Sequence, residues 1–124
     1  MSLASLVIKE ADLTESLIEK VVGPYCQYTE TGKIVPNEKF NKLPVKQKIL
    51  VYLVAKSGLP FINSDQPDVS ADNEELEFFL NVRGNTLRPR VSELREEGFI
   101  ITENSKHKIS NHAANYIISE LKLN

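Results

Sequence analysis

The sequence predicts a mainly α fold with one small C-terminal β-hairpin, an α+β arrangement, on three observations. Apolar residues recur at helical spacing in five separate stretches, capping signals or Gly/Pro breaks bound those stretches, and "FIITENSKHKIS" (99 to 110) sets apolar residues on either side of a polar centre. The 124 residues, 41% hydrophobic and 26% charged, have the length and composition of one folded domain with a single core and contain no internal repeat.

The first helix is expected over residues 12 to 22. Asp12 and Glu15 have capping-box spacing, and Leu13, Leu17, Ile18, Val21 and Val22 follow at helical intervals until Gly23-Pro24 interrupts them. "YCQYTETGKIV" (25 to 35) places Thr31-Gly32 between two β-prone runs and reads as a small hairpin or extended arm. Pro44 at the first helical position opens a second helix whose apolar residues Val45, Ile49, Leu50, Tyr52, Leu53 and Val54 cover more than one face, so it is expected at the centre of the core, with Gly58 ending it. Residues 59 to 71, with two prolines and two aspartates, read as a surface connection pinned to the body by Phe61 and Ile62.

Asp72 and Glu75 form a second capping box ahead of the stripe Leu76, Phe79 and Leu80, in a short helix ending near Asn81. Val82-Arg83-Gly84 breaks the chain, and Asn85 is expected to cap the next helix, which Gly98 terminates. A turn of about 100° per residue gathers Leu87, Val91 and Leu94 on one buried face of that helix and leaves Asn85, Thr86, Arg88, Pro89, Arg90 and Ser92 outside. Counted from Asn85, Pro89 falls in or just past the first turn, where a missing amide is tolerated. Lys106, His107 and Lys108 are expected at the tip of the following hairpin, and Asn111 is expected to cap a closing helix with Ala114, Ile117, Ile118 and Leu121 as its stripe.

Charge is unevenly spread. The net charge is −2, yet residues 59 to 82 hold six acids and no base, whereas 83 to 108 hold all four arginines and two lysines against four glutamates. The single cysteine, Cys26, excludes an intramolecular disulfide and a Cys-built zinc site, and is expected to be a buried small hydrophobe. His107 and His112 lack the carboxylate or cysteine company of a metal site. No Gly-rich phosphate loop, nucleophile triad or paired carboxylate site emerges, so neither enzymatic activity nor a cofactor is expected. The longest apolar run, Ile49 to Ala55, is far short of the roughly 20 residues that span a bilayer, and the N-terminus lacks a signal-peptide layout, so the expectation is a cytoplasmic protein away from the membrane.

Three stretches together carry a resemblance: "ADNEELEFFLNV" (71 to 82), "NTLRPRVSELREEGFI" (85 to 100) and "ITENSKHKI" (101 to 109). Residues 44 to 122 resemble a winged helix-turn-helix domain of MarR-like and related bacterial and archaeal transcription regulators, the helix ending Ser92-Glu93-Leu94 before Gly98-Phe99-Ile100 being the most specific part. The resemblance implies a sequence-specific double-stranded DNA-binding protein that regulates transcription, with helix 85–97 in the major groove and a wing, 101–109, on the backbone or minor groove. It implies DNA contacts from Arg83, Asn85, Thr86, Arg88, Arg90, Ser92, Arg95, Lys106, His107 and Lys108, with Arg88 and Arg90 the main ones. Many regulators of this kind respond to small molecules or metals, so the resemblance also implies a small-molecule effector, to which the sequence assigns no residues. Two features depart from the pattern: the long acidic connection at 59 to 71, and residues 1–43, which read as an extra helix and arm beside the 44–124 domain.

A homodimer is expected, because the amphipathic helices 12 to 22 and 111 to 122 have stripes suited to pairing across a two-fold axis. The competing reading keeps the fold but makes it a protein interaction module, using the acidic segment 59–77 with Asp65, Asp68 and Asp72.

Overall fold

The computed structural model describes residues 14–62, 68–110 and 113–120. Helix α1 (Glu15–Val22) leads into the antiparallel strands β1 (Cys26–Tyr28) and β2 (Ile34–Pro36), followed by a single turn, α2 (Glu38–Asn41). Then come α3 (Val45–Ser57), the single turn α4 (Leu59–Ile62), strand β3 (Ala71–Asp72), α5 (Asn73–Leu80), α6 (Gly84–Glu96), β4 (Ile100–Glu103), β5 (Lys106–Ile109) and α7 (Ala113–Glu120). The last three strands make an antiparallel sheet in the order β3-β5-β4, so the hairpin is joined by a short strand from before α5. The chain is thus α+β, as expected from its patterning.

Helix α3 is the hub because it is apolar all round: every residue from Ile49 to Ala55 is buried. Helices α1, α5, α6 and α7 and strand β5 all pack on it. Among the described residues no helix is long and apolar enough to cross a membrane.

Residues 14–43 pack into the same core as the rest of the described chain. Ile18, Val21, Val22, Cys26 and Phe40 belong to the same buried cluster as Leu76, Leu80, Leu87, Val91 and Leu94. The Tyr28 hydroxyl donates to the Ala55 carbonyl at 2.7 Å, tying the β1-β2 hairpin to the end of α3. Gly58 permits this approach, since a Cβ there would stand 2.5 Å from Tyr28 Oη and 3.0 Å from Ile18 Cγ2. Phe40 meets Phe79 edge to face, ring centres 5.6 Å apart, and Phe79 lies tilted against Tyr52 at 4.0 Å, joining α2, α5 and α3 through one aromatic cluster.

Several boundaries differ from the sequence reading, each for a local reason. Thr14 caps α1, its hydroxyl accepting from the Leu17 amide, while Asp12 lies outside the described residues. Pro44 is the cap of α3 rather than its first helical residue. Phe61 and Ile62 do not pin the connection: they are 53% and 45% exposed, and the neighbouring Leu59 is the buried residue. Asp72 caps α5 as expected, accepting from the Glu75 amide at 2.8 Å, and Asn81 closes it in the left-handed region at φ 55°. Helix α6 starts two residues early: Arg83 holds the cap position without a side-chain bond, so Asn85 is already helical and Pro89 sits in the helix interior. Its ring has no N–H for the Asn85 carbonyl, a loss made tolerable by the exposure of both residues. Glu97 caps the C-terminus and Gly98 follows at φ 81°.

The hairpin turn is Asn104-Ser105, with φ of 52° and 63°, the two-residue geometry that matches strand twist. Lys106, His107 and Lys108 are therefore on strand β5 and not at the tip. In α7, Ala113 and Ile117 are buried; Asn111 and Leu121 and the side chains of Ala114 and Ile118 fall outside the described set. Because α1 buries Ile18, Val21 and Val22 against its own chain, its stripe is not free to pair with a second copy as the dimer expectation required.

Candidate nucleic-acid interface

Three residues, Asn81 to Arg83, separate α5 from α6, and the Val82 amide folds back to the Glu77 carbonyl at 3.2 Å. Burial of Leu76 and Leu80 on one helix against Leu87, Val91 and Leu94 on the other fixes their crossing and turns the opposite side of α6 to solvent. Gly84 sits where they approach: a Cβ there would be 2.8 Å from both Arg88 Nη1 and Glu77 Oε1, so the glycine leaves room for both side chains.

The arginines divide between two faces of α6. Arg90 is half-buried, and its Nη2 lies 2.9 Å from Glu93 Oε1. Lys46 reaches across from α3 to the same carboxylate at 3.6 Å and donates to Glu97 Oε1 at 2.7 Å; that hydrogen bond raises the lysine's pKa. Positions 90, 93 and 97 are therefore a charge-compensated seam between α3 and α6. Arg90 is not the free contact residue that its place outside the Leu87 stripe implied.

Arg88, Ser92 and Arg95 follow at i, i+4 and i+7 along another line. Arg88 and Arg95 are exposed and have no ion-pair partner among the described residues, and Arg95 Nη2 makes only a long 3.3 Å contact to Ser92 Oγ. With Asn73, Val91 and His107 they line a shallow groove between α6 and the sheet. Asn85 and Thr86 are exposed on the first turn of α6, and Arg83 is exposed just ahead of it.

On the hairpin the expected basic cluster is dispersed. Lys106 is paired with Asp68 at 2.5 Å, and the lysine's hydrogen bond holds the Asp68 carboxyl well below the usual carboxylate range. Both groups are about half exposed, so solvent screens the pair and it adds little stability. His107 is 3% exposed. Its Nδ1 meets Thr102 Oγ1 at 2.7 Å and its Nε2 meets Asn73 Oδ1 at 2.7 Å, which fastens β5 to β4 and to the start of α5. His107 is thus a structural bridge and not a surface contact; Lys108 is half-buried and has no ion pair among the described residues. The two-residue turn places Thr102 opposite His107 in the ladder, a pairing that Asn104-Ser105 could have signalled in the sequence.

Burial, with the Arg95 charge nearby, lowers the pKa of His107 below its ordinary 6.5. A depressed histidine pKa means that the unfolded chain binds the proton more readily, so the folded state keeps full stability above about pH 6.5 and loses it as pH falls toward the folded pKa. The melting temperature should therefore drop between pH 6.5 and 5 more steeply in the native chain than in His107→Gln. Superimposable profiles from circular dichroism would refute this role.

Three of the five described acids in the acidic segment 59–77 are engaged within the chain. Asp68 pairs with Lys106, Asp72 caps α5, and Glu75 accepts from the Tyr52 hydroxyl at 2.5 Å and pairs with Lys56 at 2.9 Å. Asp65 is outside the described residues. Cys26 is buried, which pushes its thiol up to about 12 and leaves it unreactive. Among the described residues no group of three His, Cys, Asp or Glu side chains is placed to hold a metal ion. Comparison with known proteins finds no matching family model, no matching curated protein and no matching solved structure.

Proposed function

We propose that the chain is a winged helix-turn-helix protein that binds double-stranded DNA in a sequence-specific manner and regulates transcription. Helix α6 enters the major groove by its exposed side, and the β4-β5 hairpin lies along the adjoining backbone as the wing. The observation that carries this reading is the line Arg88, Ser92 and Arg95, which stands clear of the core with no carboxylate paired to either guanidinium among the described residues. The element order from α3 through β5 and the β3-β5-β4 sheet support it, because α6 packs on β4 and its Arg88, Ser92 and Arg95 share a groove with His107 of β5. Arg88 and Arg95 take phosphates or guanine edges, Asn85, Thr86 and Ser92 supply short hydrogen-bonding groups, and Arg83 and Lys108 add backbone contacts. Arg90, Lys106 and His107 move to supporting roles, since each is already held by a partner.

Fluorescence anisotropy with a random-sequence duplex tests the reading. Four cationic contacts give a slope of log affinity against log salt of roughly −3 to −4. Selection from a random duplex pool should then enrich a common site. A chain that binds no duplex at low salt, or binds with no salt dependence, would disprove the proposal.

A further inference from the structure

The most anomalous surface residue is Phe78, 89% exposed on α5 while its neighbour Phe79 packs into the aromatic cluster. Phe78 makes no ring contact with any described residue, and such a ring in water forgoes most of the burial that an aromatic provides. Phe78 forms one wall of a mostly apolar hollow floored by Ile34, Leu59, Phe79 and the Tyr52 ring, edged by Lys33 and by the mutually paired Lys56 and Glu75. The surface therefore carries an aromatic knob and an apolar hole side by side.

We infer that this face of α5 and the β1-β2 hairpin is an interface with a second copy of the chain, each Phe78 seated in the hollow of the other. A two-fold interface places the same patch on both partners, and an adjacent knob and hole on one patch satisfies that requirement. The rim charges agree. Glu74 is exposed one turn before Phe78 on the same side of α5, Lys33 is exposed across the hollow, and neither has an ion pair among the described residues. Exchange across the two-fold axis sets each Glu74 toward the partner's Lys33, so opposite charges meet twice. This surface is separate from the Arg88 line and uses none of the residues assigned to DNA.

Sedimentation equilibrium on the full chain over a wide concentration range tests the inference. The native chain is expected to dimerise, and Phe78→Ala to weaken the dimer at least ~10-fold, as truncation of a central aromatic anchor does. Because Phe78 is exposed in the single chain, the variant should keep the native circular dichroism spectrum and melting temperature extrapolated to low concentration. Glu74→Lys and Lys33→Glu should each weaken the dimer, and the double exchange should recover it. A native chain that stays monomeric throughout, a dimer indifferent to Phe78→Ala, or a double exchange without recovery overturns the inference.

Discussion

Phe40→Ala should lower folding stability by about 3–5 kcal/mol, the range for truncating a fully buried phenylalanine. Phe40 is 0% exposed and packs edge to face on Phe79, so its removal leaves a cavity between the α2 turn and α5 as well as losing the transfer energy of the ring. For a chain of this length that corresponds to a melting point lower by roughly 10–20 °C, and the loss is a large share of the about 5–15 kcal/mol that holds a typical domain together. The control is Phe61→Ala: that ring is 53% exposed, and its removal should change stability by no more than ~0.5 kcal/mol. Chemical denaturation of both variants decides the matter. If Phe40→Ala melts like the native chain, residues 14–43 are an appendage after all and the single continuous core is wrong.

The combined Arg88→Ala, Arg95→Ala variant should weaken duplex binding by about 30- to 1000-fold, taking each contact at about 1–2 kcal/mol, the lower half of what a guanidinium contributes in a groove. Both side chains are exposed and have no carboxylate partner among the described residues, so the variant should fold as the native chain does. Arg90→Ala should change affinity less than ~5-fold, because the Arg90 guanidinium already lies on Glu93 in the seam completed by Lys46. The contrast between the two faces is the informative measurement. Equal losses from Arg90→Ala and from the pair would mean that the seam opens on DNA and that α6 meets the groove by its Arg90 side.

The sequence by itself determined the longer helices and the buried sides of α5 and α6, while the single turns α2 and α4 and the two-residue strand β3 are too short to carry a periodic signal. Leu87, Val91 and Leu94 turn inward at 3.6-residue spacing, Asp72 caps α5, and the uniformly apolar α3 lies at the centre, because periodicity and capping are properties of neighbours along the chain. It also placed the hairpin to within a residue or two while misplacing its turn, which the paired register puts at Asn104-Ser105; the contact of His107 with Asn73 on α5 comes from packing alone.

Tertiary structure alone decided which charges are free. A helical projection put Arg88 and Arg90 on equal terms, whereas Lys46, 44 positions away from Arg90 on α3, draws Glu93 and Glu97 into a seam that claims one of the two. Asp68 likewise removes Lys106 from the expected basic cluster, and the core claims the stripe of α1 that looked available for a partner. The physical reason is common to all three. A side chain's pattern records what it needs, burial or a counter-charge, while the group that meets the need lies on an element distant in sequence and is brought near only by packing.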